Sequence, residues 1–238
     1  MSLEQNAAPF LCTPSGRKIY GFIFDMDGTL FDSEGFWLRT WKMAEKEFGF
    51  TGSEAMFLHT SGSSQRTMPR AYVDFFHGDE ELAQRVYEYR TNLAKTLWTG
   101  PSGPPKPGAG ELLFALWEAG IPTALATSSP RRDAETLFRA ADIPLRFQAV
   151  LSGDLGLKSK PAPDIFLAAG ERLGLPITEC AVVEDSQNGI LAAVASGAYS
   201  VLIPDQVPPV PEVQAQADVV FDDLWGLAEH LGLSLTSA

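Results

Sequence analysis

Two aspartates, Asp25 and Asp27, directly follow an apolar run from Ile19 to Phe24. Carboxylates this close repel each other unless a cation or a shared proton relieves the repulsion. A hard divalent cation with oxygen ligands meets that need, and Mg²⁺ is the common one. With a metal bound, one aspartate can act as a nucleophile and the other as a general acid and base. The alternative is a polar turn after a strand, because Asp and Gly are ordinary turn residues.

A second polar group, Thr127 and Ser128, follows the apolar run Thr123–Ala126. Hydroxyl and backbone N–H groups at these positions can hydrogen-bond a phosphate oxygen. Pro130 then opens a predicted helix, whose positive N-terminal end favours an anion. The alternative is an ordinary helix N-cap, which the same residue types favour, so the pattern alone leaves both interpretations open.

Lys160 lies in a loop directly before Pro161, which restricts the direction of the chain. A lysine held at the carboxyl end of a parallel sheet can hold a phosphate charge and bridge to the nucleophile. A solvated loop lysine is the alternative interpretation, and we favour that alternative for Lys158.

Two further acids, Glu184 and Asp185, follow the apolar run Cys180–Val183. Two carboxylates at the end of an apolar strand are costly unless they bind a metal or cap a helix. An N-cap formed by Asp185 or Ser186 is therefore the alternative to a metal site at this position.

The segments between these residues alternate between apolar strands and helices. This alternation indicates βαβ units, and it predicts an α/β fold with a doubly wound parallel sheet. In open sheets of this kind ligands bind beyond the carboxyl ends of the strands, so the polar residues are expected to meet there. The predicted strands are Ile19–Phe24, Thr123–Ala126, Phe147–Leu151, Cys180–Val183, Tyr199–Ile203 and Val219–Phe221. The predicted helices of this part are Gly110–Ala119, Pro130–Ala140, Pro163–Leu173, Ser186–Ser196 and Asp222–Leu231.

An α-helical insertion separates the first predicted strand from the others. The residues between Ser33 and Leu97 contain helical patterns but no convincing strand, and such a block is too long for a simple crossover. The Gly/Pro-rich stretch Thr99–Gly108 predicts a stiff return linker. We therefore predict a core domain formed by residues 1–33 and 101–238, and an α-helical cap domain formed by residues 34–100.

The composition restricts the possible functions. The 238-residue chain has a net charge of −12, which disfavours a nucleic-acid or acidic-membrane partner but does not exclude an anionic substrate. No run of about 18 apolar residues is present to span a membrane. Met1–Pro14 is predicted to be a frayed lead-in without the features of a secretory signal. Cys12 and Cys180 form no metal-binding or disulfide pattern, so we predict a cytoplasmic protein. The sequence contains no heptad repeat that would indicate a coiled-coil partner, so we predict a monomer.

Four segments together resemble the ordered motifs of the haloacid dehalogenase-like (HAD) hydrolases. The segments are Asp25-Met-Asp-Gly-Thr-Leu, Ala126-Thr-Ser-Ser, Lys160-Pro-Ala-Pro-Asp and Val183-Glu-Asp-Ser-Gln-Asn-Gly. The resemblance covers about residues 18–205 and implies a Rossmann-like core. The helical insertion is similar to the C1-type cap of the subfamily that includes β-phosphoglucomutase and many sugar-phosphate phosphatases.

The resemblance implies a catalytic role for four residues. Asp25 attacks phosphorus and becomes an aspartyl phosphate. Asp27 protonates the leaving oxygen and later activates the water. Thr127 and Lys160 hold the transferring phosphoryl group, as a loose phosphoryl-transfer transition state requires.

The resemblance also implies a Mg²⁺ site and substrate contacts. The implied metal ligands are Asp25, Asp27 through its backbone carbonyl, and Asp185, with Glu184 in the shell of the site. Gly28 and Ser128 are expected to bind substrate. In the insertion, Gly62–Arg66 is similar to the substrate-specificity loop of the family, where Arg66 can contact a substrate anion; an exposed helix arginine is the alternative.

The combined prediction is a Mg²⁺-dependent phosphatase that hydrolyses a small phosphorylated metabolite, with a sugar phosphate as the expected class. A β-phosphoglucomutase-like phosphosugar mutase is the alternative. Trp37 lies near the place where such mutases often carry a histidine, which favours the phosphatase. A non-catalytic binding protein with a HAD-like shell is a third hypothesis, which the complete set of acids, threonine and lysine argues against.

Overall fold

A six-stranded parallel sheet lies at the centre of the protein. The computed structural model describes residues 9–60, 68–97, 103–205 and 208–235. The strands in these ranges are β1 (Leu11–Cys12), β2 (Lys18–Ile19), β3 (Gly21–Phe24), β4 (Thr123–Ala126), β5 (Ala149–Leu151), β6 (Cys180–Glu184), β7 (Tyr199–Leu202) and β8 (Val219–Val220). The parallel sheet has the order β5-β4-β3-β6-β7-β8.

Strand β3 is the point at which the strand order reverses. It lies between β4 and β6, where Phe24 is in register with Leu125 on one side and with Val183 on the other. Ligands of open α/β sheets bind at the carboxyl ends of the strands at such a point. The residues that follow β3 and β6 therefore flank the expected site.

Helices cover both faces of this sheet. The helices are α1 (Glu34–Phe48), α2 (Ser53–Thr60), α3 (Met68–Phe75), α4 (Glu80–Leu97), α5 (Ala109–Glu118), α6 (Arg131–Ala140), α7 (Asp164–Leu173), α8 (Gln187–Ser196), α9 (Pro211–Gln214) and α10 (Leu224–His230). Successive residues of a strand point to opposite faces, so Phe22 and Phe24 pack with α5, α6 and α10, while Ile23 packs with α7 and α8. Each such fully buried side chain contributes about 1.5–3 kcal/mol. The predicted doubly wound α/β fold is confirmed.

The helices α1 to α4 form a hydrophobic cluster of their own that is distinct from the clusters on the two faces of the sheet. Trp41, Met56, Tyr72 and Val86 are almost completely buried at its centre. The aromatic and aliphatic residues recur at helical spacing, so each helix buries one face against the others. The inserted helical cap is thus present, while its assignment as a domain of residues 34–100, with a core of residues 1–33 and 101–238, stays a prediction.

The N-terminal part of the chain departs from the prediction. Of the frayed lead-in predicted for Met1–Pro14, residues 1–8 lie outside the described residues. The prediction is wrong for Leu11–Cys12, because β1 pairs antiparallel with β2. Gly16 makes the turn between these strands with a φ of 85°, and its N–H donates to the Thr13 carbonyl. The single predicted strand Ile19–Phe24 is consequently divided, since Tyr20 separates the antiparallel pair from the central sheet.

The other predicted boundaries agree with the structure to within two residues. The short helix α9 was not predicted. Its four residues are too few for a helical pattern, although Pro211 at the first position is typical of a helix start. None of the helices in the described ranges combines the length and the apolar character needed to cross a membrane.

Candidate active site

The two aspartates of the first motif lie in a tight loop at the carboxyl end of β3. The Asp25 N–H donates to the Val183 carbonyl at 3.0 Å, which fixes Asp25 beside β6. Gly28 has a φ of 84°, and a side chain there would overlap the carboxylate of Asp185. Only glycine meets both conditions without strain. Gly28 therefore brings the loop against Asp185, and its contact with substrate stays a prediction.

Lys160 lies at the centre of the site. Its ammonium group donates three hydrogen bonds. The acceptors are a carboxylate oxygen of Asp25, Oε1 of Glu184 (2.5 Å) and the carbonyl oxygen of Ala126 (3.2 Å). The side chain is only 1% exposed. A buried ammonium is stable only when its hydrogen-bond donors are satisfied and its charge is paired, and here three acceptors do so.

Glu184 performs two structural tasks at once. One carboxylate oxygen accepts the bond from Lys160, and the other accepts from the N–H groups of Asp185 (3.1 Å) and Ser186 (3.2 Å) and from the Ser186 hydroxyl (3.1 Å). The Ser186 hydroxyl in turn caps α8 by accepting from the Gly189 N–H. A side chain at position 189 would overlap the Glu184 carboxylate. The N-cap interpretation is therefore correct for Ser186, while Asp185 is left to face the loop of β3.

Three carboxylates meet where β3 and β6 end. Oxygens of Asp25, Glu184 and Asp185 lie within 4.8 Å of one another, and all three residues are buried. Asp185 is further oriented by a 2.8 Å bond from the Thr29 hydroxyl to its Oδ1. An all-oxygen cluster of this kind suits a hard divalent cation. The predicted metal ligands Asp25, Glu184 and Asp185 are thus close enough to share one ion.

The charge balance supports the same assignment. Burial raises the pKa of Asp25 to about 8, with Lys160 acting against this shift and Glu184 and Asp27 adding to it. Burial opposes the charge on Lys160, but Asp25 and Glu184 together raise its pKa. One ammonium does not neutralise this group of acids, so a divalent cation would restore the balance and favour ionised Asp25.

Asp27 accepts a hydrogen bond from a serine that the sequence analysis did not single out. Ser129 donates to Asp27 Oδ2 at 2.6 Å, and the Ser129 N–H donates to the Thr127 hydroxyl at 3.0 Å. Burial raises the pKa of Asp27, and the bond from Ser129 acts against the shift. The signal was present in the sequence, because Ser129 completes the Thr-Ser-Ser segment of the second motif.

The remaining predicted residues are placed as follows. Thr127 is fully buried, and its N–H donates to the Leu151 carbonyl at 2.9 Å, so its hydroxyl lies at the end of β4. Ser128 lies beside it, where the backbone of Gly153 packs closely. Lys158 is exposed, as expected. Arg66 and its loop lie outside the described residues, and their role stays a prediction.

Comparison with known proteins agrees with this geometry. A family model described as haloacid dehalogenase-like hydrolase matches residues 19–197. Protein CbbY, plasmid, of Cupriavidus necator is 34% identical over 197 residues, covering 76% of this chain and 77% of that protein. Hexitol phosphatase A of Escherichia coli K12 is 34% identical over 197 residues, covering 81% and 88%. A crystal structure of β-phosphoglucomutase from Clostridium difficile, 22% identical, shares the fold with a TM-score of 0.72 over 90% of this chain and 97% of that one.

The family match spans the four strand-end segments that meet in the site. It begins at Ile19, before Asp25, and it ends at Gly197, beyond Asp185. The helical insertion after the first segment is part of the same match. The chain therefore belongs to the haloacid dehalogenase-like hydrolases.

Proposed function

We propose that this protein is a Mg²⁺-dependent phosphatase that hydrolyses a sugar phosphate or a similar small phosphorylated metabolite. The observation that carries the proposal is the bridge of Lys160 between Asp25 and Glu184, beside the carboxylate of Asp185. This arrangement places one fixed positive charge next to the proposed nucleophile. The carboxylates still outnumber the ammonium group, and this excess of negative charge favours the binding of a divalent cation. Both are needed to bring a phosphate anion to a carboxylate.

The chemistry of the proposed reaction has two steps. In the first, a carboxylate oxygen of Asp25 forms a bond to phosphorus while the bond to the leaving oxygen breaks, and Asp27 donates a proton to that oxygen. In the second, Asp27 accepts a proton from water as the water attacks the aspartyl phosphate, which releases phosphate and restores Asp25. Asp25, Asp185 and the backbone carbonyl of Asp27 would hold Mg²⁺. The bound ion would neutralise negative charge on the oxygens of the phosphoryl group that is transferred.

The other residues hold the reacting groups in place. Lys160 would keep its charge opposite the phosphoryl oxygens and the nucleophile, and Thr127 and Ser128 would donate to the same oxygens. Glu184 would act mainly by fixing Lys160, because both of its oxygens already accept hydrogen bonds. The helical cap, with Arg66, would cover the leaving group and select it.

The name of hexitol phosphatase A, a relative that aligns over most of this chain, supports a phosphorylated sugar or sugar alcohol as the substrate class.

A mutase is the second candidate, and one observation favours it. Asp25 is only 6% exposed, so a phosphorylated Asp25 would be shielded from water and could return its phosphoryl group to a sugar. Trp37 packs against the hydrophobic cluster of the cap. It favours the phosphatase, because it lies near the position at which β-phosphoglucomutase-like mutases often carry a histidine. Release of free phosphate and conversion of sugar-phosphate isomers, measured in parallel, distinguish the two activities.

The test of the nucleophile is the variant Asp25→Asn. We expect it to lose nearly all Mg²⁺-dependent hydrolysis of p-nitrophenyl phosphate, by a factor of about 10³ or more, because an amide is a very poor nucleophile. Asp154→Asn is the matched control, since Asp154 is an exposed carboxylate at the same edge of the sheet. Retained turnover in Asp25→Asn, with a normal circular-dichroism spectrum, would refute the proposal.

A further inference from the structure

A partly buried ion pair, outside the cluster of acids, joins Lys106 to Asp205. The side chains are 18% and 6% exposed. Lys106 lies on the return connection from the helical insertion, and Asp205 follows β7. The pair therefore links the base of the insertion to the edge of the sheet that carries the candidate site.

The backbone of Lys106 takes part in a short ladder between the two connections of the insertion. The Lys106 N–H donates to the Leu30 carbonyl, and the Asp32 N–H donates to the Pro104 carbonyl, both at 2.9 Å. Phe31 and Pro105 form an antiparallel bridge between these bonds. We call residues 30–32 and 104–106 the hinge ladder.

The hinge ladder continues directly into the catalytic loop. The Phe31 carbonyl accepts from the Gly28 N–H at 2.8 Å, and Phe31 also forms a backbone bridge with Asp27. The N–H groups of Leu30 and Phe31 both donate to the Met26 carbonyl at 3.0 Å. A shift of the ladder would therefore move the backbone of the loop that carries the nucleophile and the general acid.

Asp205 connects the ladder to the opposite side of the site. Two residues before it, the Ile203 N–H donates to the Glu184 carbonyl at 2.8 Å, so this segment is fixed to the end of β6. The second carboxylate oxygen, Asp205 Oδ2, is buried and has no hydrogen-bond partner among the described residues. Lys106 is thus the principal compensation for a buried charge, and loss of either partner would leave the other uncompensated.

We propose that Lys106 and Asp205 are positioning residues for the active site. Their ion pair fastens the hinge ladder to β7 and so holds the loop of Asp25, Asp27 and Gly28 in register with Glu184 and Asp185. The kinetic consequence rests on the proposed phosphatase function. The structural consequence, an ordered hinge ladder and catalytic loop, does not depend on it.

The experiment compares Lys106→Met with the conservative variant Lys106→Arg and with the control Leu227→Ala. Leu227 is fully buried in α10 and belongs to the same hydrophobic cluster as Leu30 and Phe31, so its truncation lowers stability without removing the ion pair or a backbone bond of the hinge ladder. Two quantities are measured for the full chain. The first is amide hydrogen exchange of residues 28–32 and of the segment 104–106, where position 106 carries the only backbone N–H because Pro104 and Pro105 have none. The second is kcat for p-nitrophenyl phosphate at saturating Mg²⁺.

We expect Lys106→Met to accelerate exchange in these segments about tenfold or more relative to Leu227→Ala, because local opening no longer requires breaking the ion pair. We also expect kcat to fall about tenfold, since small misplacements of catalytic groups are costly. Lys106→Arg should retain the wild-type exchange pattern and most of the rate. If Lys106→Met does not fold, Asp205→Asn provides the same comparison.

Exchange in the two segments that is no faster in Lys106→Met and Asp205→Asn than in Leu227→Ala would overturn the proposal. Fast exchange with an unchanged kcat would also overturn it, because the pair would then order the hinge without positioning the site. If the wild-type protein hydrolyses no phosphate ester while the exchange result holds, the proposed function fails and the structural link between the ion pair and the loop stands.

Discussion

Individual side chains in this site serve more than one partner. Glu184 fixes Lys160 with one oxygen and the start of α8 with the other. Ser129 connects Asp27 to Thr127 through its hydroxyl and its N–H. A serine hydroxyl can both donate and accept, so it can support a carboxyl group that must lose and regain a proton. Ser129 is therefore expected to orient Asp27, the proposed general acid.

The variant Ser129→Ala tests this role at the scale of one hydroxyl. We expect kcat/KM for an alkyl phosphate to fall about tenfold, because its leaving alkoxide needs a well-placed acid. Hydrolysis of p-nitrophenyl phosphate should change much less, since its leaving group departs without a proton. Ser152→Ala is the control, because Ser152 bonds to the exposed Asp154 rather than to the site. Equal losses on both substrates would argue against an acid-orienting role.

At the scale of elements, the helical cap is held together by an unusual buried cation. Arg90 on α4 is 6% exposed, and its guanidinium lies 3.6 Å from the ring centroid of Trp41 on α1. It donates to the Thr40 hydroxyl at 2.9 Å and to the Tyr72 hydroxyl of α3. Burial lowers the pKa of Arg90 to about 10, which leaves it charged at neutral pH. One side chain thus joins three helices.

Replacement of this cation should destabilise the cap. We expect Arg90→Met to lower the free energy of unfolding by about 3 kcal/mol, because hydrogen bonds to a charged group are lost and the Tyr72 hydroxyl stays buried. The measurement is urea denaturation followed by tryptophan fluorescence. Arg85→Met on the same helix is the matched control, since Arg85 is exposed, and its effect should stay below about 1 kcal/mol. Similar effects of the two variants would contradict the prediction.

At the scale of the whole molecule, the parallel sheet assembles the site from distant parts of the chain. Strands β3 and β6 are separated by more than 150 positions, yet their ends carry the acids of one cluster. The hydrophobic clusters on both faces keep these strands adjacent, so folding itself concentrates negative charge at one point. This concentration lowers stability unless a cation is bound.

Mg²⁺ is consequently expected to stabilise the folded protein. At a concentration about 100 times its Kd, a ligand of the native state adds about 2.7 kcal/mol, which corresponds to a rise in Tm of roughly 5–10 °C for a chain of this size. Thermal unfolding with Mg²⁺ and with EDTA measures the shift. Asp185→Asn should abolish most of it, whereas Glu135→Gln, a change at a half-exposed position on α6, should retain it. An undiminished shift in Asp185→Asn would rule out the assigned cluster.

Much of the fold and of the site could be predicted because the signals are local. Apolar runs of four to six residues that are followed directly by Asp25, Thr127 or Glu184 indicate parallel strands, and a parallel sheet brings their ends to one edge. The division of the first predicted strand at Tyr20 was missed. Pairing partners are chosen by distant segments, and an apolar run alone does not show which partner each residue takes.

By itself, the sequence determined the class of fold, the helical insertion and which acids and lysine gather at the carboxyl edge, because hydrophobic periodicity and strand ends follow from local residue types. Only the tertiary structure decided how these side chains share their hydrogen bonds. In the structure, Glu184 accepts hydrogen bonds from Lys160 and from the start of α8, and Asp27 accepts one from Ser129. Lys106 forms an ion pair with Asp205. Such pairings depend on distances of a few ångströms between segments far apart in the chain, and spacing along a sequence does not contain that information.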